Sequence, residues 1–546
     1  MTDEQAFTDL DRGFARFLAE RSRLSGANKN RFEALLLQLS AQQSAGHSCI
    51  AIGAEDREIV LASGLASADR ATPLIAEAER LYLQRYWHYE ERLARQLGAL
   101  ARQQFDAGHL EACLDRYFPS QGDEIDWQKT AAQAAVGRAL SIITGGPGTG
   151  KTTTVLKILA LLLETSRQSL HIALAAPTGK AAMRLQESIV ANKPGLDCAA
   201  EVKDRIPEQA NTLHRLLGAK PPTPYFRHDA GNPLPYDVVV VDETSMVDLA
   251  LMSKLVDALK PGSRLILLGD KDQLASVESG SVLADLSAGL AENTVELQKS
   301  HRFQGQIKQL AVAVNRQDAE LAWQLLQEPN SAVRRLNGDP IDWIIENYAE
   351  YLQAIADGAD LVRIFAAFNR FRVLCSNQRG HNSVGEINRR VEQELASRGK
   401  IRSGSIWYAG KPVMITANHA GMQLYNGDIG LCLNDAEHGG QLRVFFPRGE
   451  QFRKLLPARL PPWETVFAMT IHKSQGSEFE NIVIALPDAV NPVLSKELLY
   501  TAITRAKKSV AVSAEQAIFD ACVGHRVARY SGLAAKLQTY ASGPSR

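Results

Sequence analysis

Gly145-Gly146-Pro147-Gly148-Thr149-Gly150-Lys151-Thr152 follows the apolar run Leu140-Ser141-Ile142-Ile143-Thr144 and opens the stretch Thr153-Thr154-Val155-Leu156-Lys157-Ile158-Leu159, whose apolar residues have helical spacing. A buried strand, a glycine-rich turn and a helix in that order make a phosphate-binding loop. The glycines let successive backbone N–H groups converge on phosphate oxygens, and the helix N-terminus adds the positive end of its dipole. Lys151 is placed to reach β- and γ-phosphates, and the Thr152 hydroxyl to hold Mg²⁺. The pattern predicts a bound nucleoside triphosphate. It does not by itself choose among kinases, GTPases, transporters and motors.

Outward from the loop, near-continuous apolar runs at 171–176, 237–241 and 264–269 predict further strands buried on both faces of a parallel sheet, separated by helical stretches. A second α/β region begins at Arg372-Val373-Leu374-Cys375 and resumes with Ile482-Val483-Ile484-Ala485-Leu486 and Ser509-Val510-Ala511-Val512. Between its parts, Lys411–Thr416, Ile429–Leu433 and Gln441–Phe446 are short strand patterns split by Asn426-Gly427-Asp428 and Gly439-Gly440 turns. The expected organisation is a helical N-terminal domain over 1–118 and a first motor-type domain over 119–358. A second domain takes 359–404 plus 463–546, with a small β-barrel-like insertion at 405–462. The last residues, Ala541–Arg546, are expected to be a frayed tail.

Composition removes several classes. The 546 residues carry 61 Lys+Arg and 61 Asp+Glu, so net charge gives no general attraction to nucleic acid or membrane, and any such site must be a local groove. Over residues 1–116 there are 14 Lys+Arg against 17 Asp+Glu, a balance of −3, which suits a protein-contact surface better than a DNA grip. The 6 cysteines are widely spaced with no C-x-x-C pair, which argues against a zinc ribbon or a disulfide scaffold and fits a reducing, cytoplasmic setting. No signal-peptide core or membrane-length apolar run is present, so no membrane partner is expected.

Two further segments carry chemistry. Asp237-Val238-Val239-Val240-Val241-Asp242-Glu243 ends a buried strand in two carboxylates, a costly pairing without a cation. Asp242 is the candidate Mg²⁺ ligand and Glu243 the group that orients the attacking water. Leu267-Leu268-Gly269-Asp270-Lys271-Asp272-Gln273 ends another strand, with Gln273 positioned to sense the γ-phosphate.

Together these segments resemble the first motor domain of superfamily 1 helicases. Trp127-Gln128-Lys129-Thr130-Ala131 looks like the glutamine motif that reads the adenine edge. Ala176-Pro177-Thr178-Gly179-Lys180-Ala181-Ala182 and Thr212-Leu213-His214 match segments that line the single-strand path. Ser300-His301-Arg302-Phe303 resembles the motif whose arginine reaches the γ-phosphate. Thr470-Ile471-His472-Lys473-Ser474-Gln475-Gly476-Ser477-Glu478-Phe479 and Tyr500-Thr501-Ala502-Ile503-Thr504-Arg505-Ala506 resemble the coupling and arginine-finger motifs of the second domain.

Within that superfamily the chain resembles the RecD family over nearly its whole length, including Asp242-Glu243-Thr244-Ser245-Met246-Val247, Asn426-Gly427-Asp428-Ile429-Gly430, Gly46-His47-Ser48-Cys49 and Leu81-Tyr82-Leu83-Gln84-Arg85-Tyr86-Trp87. The resemblance implies two RecA-like domains with an SH3-like insertion, ATP and Mg²⁺ as cofactors, and 5′-to-3′ movement on DNA. It adds Thr153 and Glu478 to the candidate ATP contacts, and makes Pro177, Thr178, Lys180, His214, Thr470 and His472 the candidate DNA contacts. It further implies RecB-like and RecC-like partners in a heterotrimer acting on single strands and duplex ends. Stand-alone RecD-like repair helicases are the alternative, but they usually carry helix-hairpin-helix units before the motor, and no such glycine-marked hairpins occur here. Nor is there an Asp…Asp-x-Lys nuclease cluster, so the expected chemistry is ATP hydrolysis alone.

Overall fold

The computed structural model describes residues 7–67, 72–106, 110–119, 125–166, 168–276, 278–298, 305–329, 331–401, 404–449 and 451–542. It divides into two compact units, Met1–Lys271 with Ala275–Ser300 and Ala528–Arg546, and Asp272–Leu274 with His301–Val527. Arg302 and its neighbours at 299–304 lie outside the described residues, as do 543–546 of the expected tail.

The first unit is built on six parallel strands in the order Thr294–Glu296, Leu140–Thr144, Arg264–Gly269, Val238–Val241, Ile172–Ala176, Ala210–Thr212. Leu140–Thr144, Ile172–Ala176 and Val238–Val241 are buried at every position, the signature of strands covered by helices on both faces. The helix after the phosphate loop, Lys151–Thr165, is itself largely internal, burying Val155, Leu156, Ile158, Leu159 and Leu161 to Leu163. With all its strands parallel, the sheet sends every strand's carboxyl end to one edge, where ligands of α/β proteins bind.

The helical N-terminal region also carries a small sheet. The helices Asp9–Arg21 and Gly26–Ser44 pack beside a four-stranded sheet in the order Cys49–Ala51, Arg80–Leu83, Leu74–Glu77, Ala66–Ser67. A two-residue turn, Ala78-Glu79, joins its central pair, with Glu77 opposite Arg80 and Ala78 at φ +49°. Such turns need left-handed backbone, and no glycine or asparagine marks this one. The amphipathic run expected to start at Leu81 becomes helical only from Gln84, in Gln84–Ala101.

One departure concerns the chain's end. The second domain is expected over 359–404 plus 463–546, but the helix Leu533–Ala541 packs within the first unit, against Gln84–Ala101 and Val282–Gly289. Two glycines permit that approach. A Cβ on Gly98 would sit 2.7 Å from Tyr540 Cβ, and one on Gly289 would sit 2.8 Å from Leu537 Cβ. Leu533 and Leu537 join the core that holds Leu93, Leu97, Leu286 and Leu290.

The second unit has five parallel strands in the order Val333–Arg335, Ala506–Ser513, Phe479–Ala485, Phe371–Cys375, Ala468–Thr470. A separate five-stranded antiparallel sheet forms the β insertion, with Lys411–Ile415, Ile429–Asp435, Gln441–Arg448, Gln451–Leu455 and Trp463–Thr465 around a small core of Val413, Ile415, Cys432, Val444 and Phe446. The six cysteines are free thiols, and no helix among the described residues is long and apolar enough to cross a membrane.

Leu537→Ala should lower the unfolding transition of the first unit by about 2–5 kcal/mol and leave that of the second unaltered, as followed by calorimetry. A pH effect belongs to the same region. Burial, reinforced by the charge of Glu90, raises the Asp285 carboxyl to about 7 against a hydrogen bond from Ser531. Its folded-state value lies above its unfolded one, so ionising it costs stability progressively between about pH 4 and about 7. Asp285→Asn should therefore be more stable than the parent at pH 8, and the difference should vanish near pH 4 in thermal melts.

Candidate functional site

The Leu140–Thr144 strand delivers the chain into the loop with Gly145 N–H donating to Gly269 O at 3.2 Å, so the ends of two neighbouring strands are tied together. Gly148 and Gly150 lie at φ +79° and +82°, where only glycine is unstrained. Within the loop, Thr149 Oγ1 donates to Gly146 O at 2.9 Å. Gln128 Nε2 donates to Thr149 O at 3.0 Å and stands so close that a Cβ on Gly150 would meet it at 2.5 Å. Asp126 caps the helix Trp127–Gly137 by accepting from the N–H groups of Gln128 and Lys129, which fixes where Gln128 starts. The candidate adenine reader is thus part of the loop's own framework.

Lys151 is the first residue of the following helix, and its Nζ is 2.6 Å from Gly145 O and 3.1 Å from Gly146 O. The ammonium is held over the loop, where an incoming phosphate would compete with two neutral carbonyls for it. A charged acceptor wins that exchange, because hydrogen bonds to an ionised partner are roughly twice as strong. Thr152 follows on the first turn, half-buried, and Thr153 is exposed.

Asp242 and Glu243 emerge from the buried strand Val238–Val241. Asp242 N–H donates to Ala175 O at 2.9 Å, and its Oδ1 accepts from Glu243 N–H at 2.8 Å. Burial and then the charge of Glu243 push the Asp242 carboxyl above the ordinary range, while Lys151 and Arg184 pull the other way. Glu243 sits at φ +52°, a strained setting for a residue with a side chain. Two adjacent carboxylates at a strand end, with the Asp242 carboxyl held up by burial and by its neighbour's charge, fit a hard divalent cation that would offset both charges. Arg184, on the helix Gly179–Asn192, was not anticipated; it lies one turn beyond Lys180 on the same helix face, a spacing that could have drawn attention to it.

The candidate DNA contacts of the first unit lie at adjoining strand ends. Ala176 pairs with Thr212, and the chain continues to Pro177 and Thr178 on one side and to Leu213 and His214 on the other. Thr178 caps its helix by accepting from Ala181 N–H at 3.2 Å, and Lys180 is half-exposed on the first turn. His214 is exposed, its ring 5.7 Å from that of Phe226.

In the second unit, Thr470 ends a strand paired with Phe371–Cys375, opposite Cys375, and its Oγ1 accepts from Lys473 N–H at 3.3 Å. His472 is in the short turn that follows. Glu478 forms an ion pair with Lys507 at 3.4 Å. Arg505 is 2% exposed, donating from Nε to Thr501 O at 3.2 Å and from Nη1 to Ser477 O at 3.3 Å. Gln273 is also buried, and the Asp272–Leu274 segment that carries it groups with this unit. Leu274 N–H donates to Thr501 Oγ1 at 2.9 Å, and Leu274 O accepts from Gln475 Nε2 at 3.2 Å. That anchoring of the segment after Gln273 to the two motifs around Thr501 and Gln475 had no signal in the sequence.

Known proteins match this arrangement. A family model described as an AAA domain covers residues 128–279, and one described as a UvrD-like helicase C-terminal domain covers 465–513. The RecBCD enzyme subunit RecD of Mycobacterium tuberculosis is 41% identical over 499 residues, 87% of this chain and 85% of that protein. The subunit of the same name from Haemophilus influenzae is 36% identical over 537 residues, 86% of this chain and 82% of its own. The ATP-dependent RecD2 DNA helicase of Deinococcus radiodurans is 33% identical over 392 residues, 70% of this chain but 47% of that protein. A solved structure of Pif1 helicases at forked duplex DNA aligns with 72% of this chain and 94% of its own at 19% identity and a TM-score of 0.40. The chain belongs to the RecD family of superfamily 1 DNA helicases, which are ATPases.

Gly150→Ala places a methyl group against Gln128 on left-handed backbone. Nucleotide affinity, measured with a fluorescent ATP analogue, should fall by at least about tenfold, roughly 1.4 kcal/mol, while the circular dichroism spectrum is unaltered.

Proposed function

We propose that this RecD-family helicase is the 5′-to-3′ single-strand translocating subunit of a RecBCD-type helicase–nuclease, working with RecB-like and RecC-like chains at duplex ends in double-strand break repair and recombination. The observation that carries the ATPase half is that Lys151, held over the phosphate loop, acts electrostatically on the Asp242 carboxyl. The likeness to RecD subunits along most of both chains supports the subunit half, and the match to RecD2 over less than half of that protein does not favour a stand-alone helicase.

In this scheme the loop from Gly145 to Thr153 cradles the phosphates and Gln128 reads the adenine edge. Thr152 and Asp242 would hold Mg²⁺, which would supply charge neutralisation to the phosphates. Glu243 orients and deprotonates the attacking water. A water activated there attacks the γ-phosphorus, the bond to the β–γ bridging oxygen breaks, and ADP and phosphate leave. Gln273, Arg302 and Arg505 read the γ-phosphate, and Glu478 completes the nucleotide contacts. Arg505 is held by backbone carbonyls of its own unit, so its aim is set by the fold around Thr501 and Ser477. Pro177, Thr178, Lys180 and His214 contact the strand from one unit, and Thr470 and His472 from the other. Threonine hydroxyls already accepting a backbone hydrogen bond, as in Thr178 and Thr470, retain their own O–H to donate to a phosphate. The protein works in the cytoplasm.

Lys151→Gln should abolish DNA-stimulated ATP hydrolysis in a folded protein, and a variant that keeps it would remove the motor assignment. Arg505→Ala should cut kcat by about 10³-fold or more while ATP still binds. Purification from the native host at low salt should bring down two larger chains with nuclease activity; a lone chain that unwinds DNA would point to the stand-alone reading.

A further inference from the structure

Arg529 lies in the irregular segment that leads to the last helix, and its guanidinium is spent on backbone. Nη2 donates to Ser276 O at 2.5 Å, and Nη1 to Glu278 O at 2.8 Å and Gly280 O at 2.9 Å. These carbonyls belong to the stretch that continues from Gln273. Leu274 is anchored in the second unit by Thr501 and Gln475, whereas Ser276 is anchored in the first by Arg529. Only Ala275 separates the two fixed points.

The N-terminal region closes on the same arginine. Gly46 lies at φ +92° with its Cα so near that a Cβ would meet Arg529 Cζ at 2.9 Å, and Gly46 O accepts from Gly280 N–H at 2.9 Å. Tyr530 N–H donates to His47 Nδ1 at 2.9 Å, and Ser48 N–H donates to Tyr530 O at 3.1 Å. The arginine side chain thus holds the loop after Gln273, while Gly280 and Tyr530, on either side of it, bond the Gly46–Ser48 turn that packs on its guanidinium. A planar fork of N–H donors can satisfy three carbonyls on one strand of backbone; a lysine ammonium, a single point of charge, cannot span them.

We propose that Arg529 is a positioning residue for the DNA-stimulated ATPase. It fixes the loop that continues from Gln273 and ties it to the N-terminal region, so that a load on that region reaches the segment that reads the γ-phosphate. This rests on the motor function proposed above.

The test uses the full chain, alone and in complex with its partner subunits. ATP hydrolysis is measured with and without single-stranded DNA, alongside affinity for a fluorescent ATP analogue. Arg529→Ala should lose DNA stimulation of kcat by about tenfold, within the range of coupling energies mutations produce, with analogue affinity and DNA-free hydrolysis little altered. Leu537→Ala is the stability control, since it loosens the same C-terminal helix without touching the arginine's carbonyls. Loss of stimulation in Arg529→Ala alone supports the proposal. Full stimulation in Arg529→Ala, or equal loss in Leu537→Ala, overturns it. Should the alanine variant not fold, Arg529→Lys takes its place, with partial loss expected and full stimulation again overturning the role. A parent protein without any DNA stimulation would instead remove the motor assignment itself.

Discussion

A parallel sheet covered on both faces leaves polar chemistry one outlet, the carboxyl ends of its strands. The fully buried strands Leu140–Thr144, Ile172–Ala176 and Val238–Val241 each obey that constraint. One opens into the phosphate loop, one into Pro177 and Thr178, one into Asp242 and Glu243. The backbone ties between these ends, Gly145 to Gly269 and Asp242 to Ala175, hold the emerging segments in register with the sheet. Chemistry that needs ångström placement is thereby referred to the stiffest part of the molecule. The second unit follows the same rule, with Thr470 leaving its sheet opposite Cys375.

Within this frame, strain is confined to a few positions with a use. Glu243 takes left-handed backbone right after a buried strand, where the chain must turn without burying its carboxylate. The loop glycines avoid that cost, and Gln128 fills the space a side chain would have taken at Gly150. Asp242 shows the electrostatic counterpart: its carboxyl is held protonation-prone by burial and by its neighbour, a tension that a divalent cation relieves. Lys151 and Arg184 relieve that repulsion only in part, so the site is tuned for the further cation it binds.

Much of this was legible in the residues. Runs such as Val238 to Val241 have one reasonable reading, and the loop's glycine spacing has a direct mechanical meaning. What stayed hidden depends on tertiary choice. The hairpin at Ala78 turns on left-handed backbone at an alanine, which local chemistry does not advertise. The helix Leu533–Ala541 is amphipathic like many others, and nothing in its pattern says that its apolar face belongs beside Leu93 and Leu286. Gly98, in the last turn of its helix, and Gly289, at the very end of its own, are ordinary glycines until a helix is laid across them. Likewise, the switch of Asp272–Leu274 into the second unit rests on hydrogen bonds to Thr501 and Gln475, some two hundred residues away.

The return of the last helix to the first unit has a consequence for how the protein is made. The second unit is an insertion within the first, and its final residue, Val527, leaves the ribosome before Leu533 and Leu537 do. Chains emerge at roughly 5–20 residues per second, so the inserted unit can complete its core while the unit holding the phosphate loop still lacks a wall. During that interval Leu93, Leu97, Leu286 and Leu290 lack the contacts that Leu533 and Leu537 will supply. The nucleotide-binding half of the molecule begins first and finishes last.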